Sequence, residues 1–105
     1  MFEISKADWK LFREKLPDWQ ENYMEGLVQE YIALLSREGL ASEKFRELEK
    51  RIRQDKKKPG VCLEMDKSEM AYDLVRLIRD KAITTNDLNE FSDEMKETVS
   101  FLLNS

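Results

Sequence analysis

Trp19, Tyr23, Leu27, Tyr31 and Leu35 recur at strict four-residue intervals, and Met24, Val28 and Ile32 each follow a member of that set by one place. In an α-helix the two sets merge into one broad stripe, whereas in a strand they would point to opposite faces. A helix over 18–37 is therefore predicted, and as the most hydrophobic stretch it is expected at the centre of the fold. The chain has 105 residues, 41% of them hydrophobic and ten of them aromatic, so it can bury one core. The expectation is a single mainly α domain over 1–105.

The remaining patterns supply its neighbours. Ser5 followed by Asp8 is a capping pair, and Trp9, Phe12 and Leu16 predict a first helix over about 6–16, with Pro17 opening the next one. Gly39 is the expected stop of the central helix. Ser42 is read as the cap of a helix whose apolar face is only Phe45, Leu48 and Ile52, which places it on the outside. Pro59 ends it and Gly60 turns the chain. Val61, Leu63 and Met65 then alternate with polar neighbours, the one strand-like pattern in the sequence, and Phe2 with Ile4 offers a partner for it within the chain or across a dimer. Asp66 with Glu69 caps a helix built on Met70, Leu74, Leu77 and Ile78 up to about Lys81. Ile83 is expected to plug the core at a corner whose threonines cap a further helix through Asp87 or Leu88, with Leu88 and Phe91 facing in, and Ser92 starts a last helix on Met95, Val99, Leu102 and Leu103. The predicted fold class is a mainly α bundle of five or six helices, with one short β-strand pair as its only optional departure.

Histidine is absent, which removes Ser-His-Asp and Cys-His nucleophiles and the commonest general base together. Carboxylates number 22, so no pair stands out as an acid–base couple, and the Glu-x-x-His pairs of a bundle metal site cannot form. The segment "DKAITTNDL" at 80–88 resembles the second half of a calcium loop. Aligned that way, however, Arg76 and Ile78 occupy the positions that need acidic oxygens, and Lys81 the one that needs glycine. The same corner suggests a DNA-reading helix, but Asp87, Glu90, Asp93, Glu94 and Glu97 would repel phosphates. No enzyme activity, cofactor or metal is expected. The lone Cys62 supports no disulfide framework and is read as a small apolar residue beside the lysines rather than a reactive thiol. No apolar run approaches the roughly 18 residues of a membrane span, and the first residues lack a signal-peptide pattern, so the expected location is the cytoplasm.

Two stretches remain as candidate binding sites. Net charge is −4, but residues 41–60 hold eight basic and four acidic groups, between acidic flanks of five against eight and five against ten. Within that middle, Arg51, Arg53, Lys56, Lys57 and Lys58 form a candidate basic patch. Cations at a helix C-terminus meet the negative end of its dipole, and this reading accounts for the whole cluster. Nucleic acid is the alternative occupant, disfavoured because no aromatic residues interleave to stack on bases. Trp19, Tyr23 and Tyr31 form a candidate interface, since such residues anchor protein contacts. Ordinary core is the competing reading.

Along "DWKLFREKLPDWQENYMEGLVQEY" and "AITTNDLNEFSDEMKETVSFLL", the chain resembles a group of short bacterial proteins with no assigned activity, some labelled multidrug transporters. The absence of any membrane-spanning run argues against that label. The resemblance implies an accessory protein. The expected function is surface recognition of a protein partner, or of a second copy in a homodimer. The alternatives are a nucleic-acid-associated regulator using 51–58 and an acidic inhibitor of a nucleic-acid enzyme.

Overall fold

Ser5 opens the first helix by accepting the Asp8 N–H at 3.1 Å, which satisfies one of the donors that every helix start leaves free. The helix that follows, α1 (Lys6–Ser36), does not stop at Pro17. The two helices expected over 6–16 and 18–37 are one. Proline deletes one backbone hydrogen bond and crowds the carbonyl four residues back, at a penalty of about 3 kcal/mol. Pro17 lies on the exposed side, while Phe12, Leu16 and Trp19 carry continuous packing past it on the inner side, and that burial outweighs the penalty. At about 1.5 Å per residue α1 is roughly 46 Å long, most of the molecule's longest dimension of 54 Å.

The computed structural model describes residues 3–105. The later helices are α2 (Ala41–Asp55), α3 (Pro59–Cys62), α4 (Met70–Arg79) and α5 (Asp93–Leu103), with 3-10 turns at Lys67–Glu69 and Thr85–Leu88. No strand occurs among the described residues. The strand expected at 61–65 is replaced by the single turn α3. Pro59 presets its first position, and the N–H groups of Val61 and Cys62 bond the Lys58 carbonyl and that of Leu63 the Pro59 carbonyl, so these three donors are spent within the turn. Of the proposed partner segment, Phe2 lies outside the described residues and Ile4 packs against the core. Cys62 is exposed rather than half-buried.

The core sits at one end of α1. Phe12 and Leu16 are buried among Met70, Leu74 and Leu77 of α4, Met95 and Val99 of α5, and Ile83, Leu88 and Phe91 of the intervening corner. Ile83 plugs the core as expected, and Thr84 with Asp87 forms the reciprocal cap behind it. The corner is shaped by Lys81, whose φ of 61° is the left-handed conformation that ends α4. The Ala82 N–H returns to the Leu77 carbonyl and that of Lys81 to Ile78, a Schellman closure with lysine where glycine is usual. Asp8 fastens the other edge. Its carboxylate accepts the Ser92 N–H at 2.9 Å and the Ser92 hydroxyl at 2.5 Å, while Ser92 itself caps α5.

The second half of α1 leaves this core. The expectation that 18–37 forms the centre of the fold is corrected: beyond Trp19 only Leu27 and Leu34 are buried on it. It pairs instead with α2, which returns beside it. Arg51 reaches Glu30, Tyr31 reaches Asp55, Lys44 reaches the Leu35 carbonyl and Arg37 reaches Glu47. The falling numbers on one helix against rising numbers on the other make the pair antiparallel. Gly39, at a φ of +146° that other residues rarely adopt, turns the chain between them. Ser42 does not cap α2. The helix starts one residue before it, from Leu40, without a side-chain cap.

Candidate protein-docking surface

The hairpin of α1 and α2 has three sides, set by three neighbouring stripes on α1. Leu27 and Leu34 are the buried stripe of this half of α1. Tyr23 and Glu30 point to one side of the hairpin, into a polar cleft of about 420 Å³ that Arg51, Asp55, Lys58 and Asp80 also line. Val28, Ile32 and Leu35 point to the other side, at the i, i+4, i+7 spacing that keeps side chains in line.

On that third side the surface is apolar and open. Met24, Leu27, Val28 and Tyr31 of α1 share a groove of about 240 Å³ with Ile52 of α2 and Val61 of α3, and its walls are almost wholly nonpolar. Val28 and Ile52 thus define one face of the hairpin. Ile32 and Leu35 continue it along α1, and Phe45, two turns before Ile52, continues it along α2. Phe45 is 75% exposed, Ile32 50%, and Val28 and Leu35 45% each. Scattered apolar side chains are ordinary on a protein surface; a contiguous row spanning two helices is not.

The three aromatic residues proposed as an interface do not form one. Trp19 stacks on Phe91 at 6.3 Å and meets Phe12 edge-on at 6.5 Å, so it belongs to the core. The Tyr23 ring lies against Gly60. Burial and the adjacent Asp80 carboxylate push its hydroxyl up to about 12. Tyr31 donates its hydroxyl to Asp55 at 2.5 Å, and the Arg51 guanidinium lies 5.6 Å from its ring centre. Burial and that hydrogen bond push it, too, up to about 12. Both tyrosines therefore use their polar tips inside the molecule. Only the flank of the Tyr31 ring contributes to the open groove.

The basic patch is likewise divided. Arg51 pairs with Glu30 at 2.8 Å and lies 3.6 Å from the buried Asp55. Arg53 pairs with Glu49 one turn back, and Lys58 stands 3.9 Å from Asp80. Lys56 and Lys57 have no ion pair among the described residues, and Lys56 stands on the rim of the apolar groove. Of the five cations in sequence, Arg51, Arg53 and Lys58 are thus held in partly exposed ion pairs, and Lys56 and Lys57 are left as surface charges. The residues that sequence reasoning missed, Val28, Ile32, Leu35, Phe45 and Ile52, carried a readable signal. A helix flanked by one partner needs one stripe, and α1 has a second beside the first.

No group of three or more metal-binding side chains occurs among the described residues, and no helix there is long and apolar enough to cross a membrane. No protein-family model, curated protein or solved structure matches the chain.

Proposed function

We propose that this is a small helical protein-interaction module that acts by surface recognition, through the open apolar face of the α1–α2 hairpin. The observation that carries this reading is the open apolar groove shared by Val28 and Ile52, with exposed Ile32, Leu35 and Phe45 at helical spacing from them on the same two helices, in water, at the end of the molecule remote from the core. Large apolar rows of this kind mark sites that a partner covers. Catalysis has less support, because the polar cleft on the opposite side is filled with mutually paired charges and offers no nucleophile with an adjacent base. The reading includes a cytoplasmic location, where an exposed thiol such as Cys62 stays reduced.

The test is purification of the tagged chain from its host, with and without nuclease treatment, in parallel with Phe45→Glu and Ile32→Glu. The expected result is a stoichiometric protein partner, a further copy of the chain included, that survives nuclease and is lost from both variants. Recovery of nucleic acid alone, or a partner held equally by the variants, refutes the reading.

A further inference from the structure

Building on the docking face just described, we infer that its occupant is a second copy of this chain, the two hairpins closing face to face into an antiparallel four-helix bundle. The hairpin is self-complementary in charge. Residues 21–38 on α1 carry Glu21, Glu25, Glu30 and Glu38 against Arg37 alone, whereas residues 41–58 carry eight basic and four acidic groups. The same division holds at the rims. Glu21 and Glu25 follow the outer edge of the Val28–Ile32 row, and Arg53 and Lys56, with Glu49 between Phe45 and Arg53 and paired to Arg53, follow the outer edge of the Phe45–Ile52 row, so that one rim is acidic and the other net basic, all five side chains being exposed.

Charge then selects the symmetry. A two-fold axis along the hairpin lays the α1 of one protomer over the α2 of its partner, keeps all neighbouring helices antiparallel and sets each acidic rim against a net basic one. A two-fold axis across the hairpin would instead stack α1 on α1, acid on acid, and α2 on α2. A lone helix from another protein could fill the groove, but it would leave two rims of opposite sign to satisfy with one set of side chains. A second hairpin satisfies both.

The area fits as well. The five apolar side chains, 39% to 75% exposed, make a patch on the scale of the largest found on a monomer, roughly 300–600 Å². A standard interface buries about 800 Å² per partner, of which roughly 60% is nonpolar. The face supplies that nonpolar share without rearrangement of the fold.

The experiment is sedimentation velocity from about 1 to about 200 µM, which brackets the weak end for interfaces of this size. Wild type, Phe45→Glu and two rim variants are compared, one carrying Glu21→Lys with Glu25→Lys and the other Arg53→Glu with Lys56→Glu. Wild type is expected to dimerise and Phe45→Glu to remain monomeric with unchanged helical circular dichroism. Each rim variant alone should dimerise at least about tenfold more weakly, because both of its contacts become like-charged. Mixed together, the two should form a heterodimer near wild-type affinity, since both contacts are then matched again. A wild-type chain that stays monomeric throughout, or a mixture no tighter than its components, overturns the assignment. If the monomeric chain nonetheless holds a different protein that Phe45→Glu loses, the second copy is refuted while the docking face stands; if it holds none, both fall.

Discussion

Gly60→Ala isolates the joint between α3 and the hairpin. A Cβ built on Gly60 falls 2.5 Å from both Cγ and Cδ2 of Tyr23 and 2.9 Å from Cδ1, whereas ordinary carbon contacts begin near 3.5 Å. The offended atoms are at the root of the ring. Cγ is fixed to the Tyr23 Cβ, so relief requires the whole side chain to change rotamer or α3 to move off α1. Overpacking of this kind costs about 1–3 kcal/mol. Alanine in place of glycine within a helical turn returns roughly 0.5–1 kcal/mol, so a net loss of about 1–2 kcal/mol is expected. In a Tyr23→Ala background the obstructing ring is gone, and the same substitution should be neutral or stabilising. The measurement is urea unfolding followed by far-ultraviolet circular dichroism on the four proteins of the cycle, with a coupling of about 2 kcal/mol expected between the two sites. An equal effect of Gly60→Ala in both backgrounds would refute the contact.

Asp8→Ala removes the acceptor for two Ser92 donors and should lower stability by about 1–3 kcal/mol in the same unfolding assay, with little added by Ser92→Ala on top because the two residues act as one unit. Tyr23 and Tyr31, both raised from 10.0 to about 12, keep their protons in the fold after the unfolded chain has released them. Stability should therefore fall as pH rises between those values and level off beyond, and tyrosinate absorbance that is complete by about pH 11 would contradict this. Burial raises the Asp73 carboxyl despite its ion pair with Arg76, so the folded chain binds this proton more readily than the unfolded one and the ionised group opposes folding. Asp73→Asn should raise the melting temperature at pH 7, by an amount that shrinks as the medium is acidified through the carboxylate range; a lowered melting temperature at pH 7 would refute the sign.

Most local signals in this sequence were legible, Ser42 excepted, and the tertiary ones were not. Ser5, Ser92 and the Thr84–Asp87 pair announce their caps because a side-chain oxygen three residues before a free N–H acts within one turn. Ile83 was identifiable as a core residue because it stands apolar between two polar stretches. Pro17 misled because its penalty is local while the burial that overrides it comes from α4 and α5, which are remote in sequence. The alternation at 61–65 misled for a related reason: Pro59 at the first position commits the next residues to a turn before any strand partner can be found. The basic patch is split by ion pairs to Glu30, Glu49 and Asp80, and only Glu49 lies close enough along the chain to be foreseen.

The apolar face of the hairpin is the feature that stability does least to explain. Leu27 and Leu34 already bind α1 to its neighbour, and Tyr31, Asp55 and Arg51 fix the alignment of the two helices. Phe45, three-quarters in water, adds little to that contact, whereas Val28, Ile32 and Leu35, about half in water, have gained only part of the roughly 1.5–3 kcal/mol that full burial would give each. A polar replacement at Phe45 should therefore leave the unfolding free energy within about 0.5 kcal/mol of wild type, and one at Val28, Ile32 or Leu35 should lower it by no more than about 1 kcal/mol. The same replacements should abolish association. That separation is what a surface kept for a partner predicts. A face needed only for folding would lose stability and binding together.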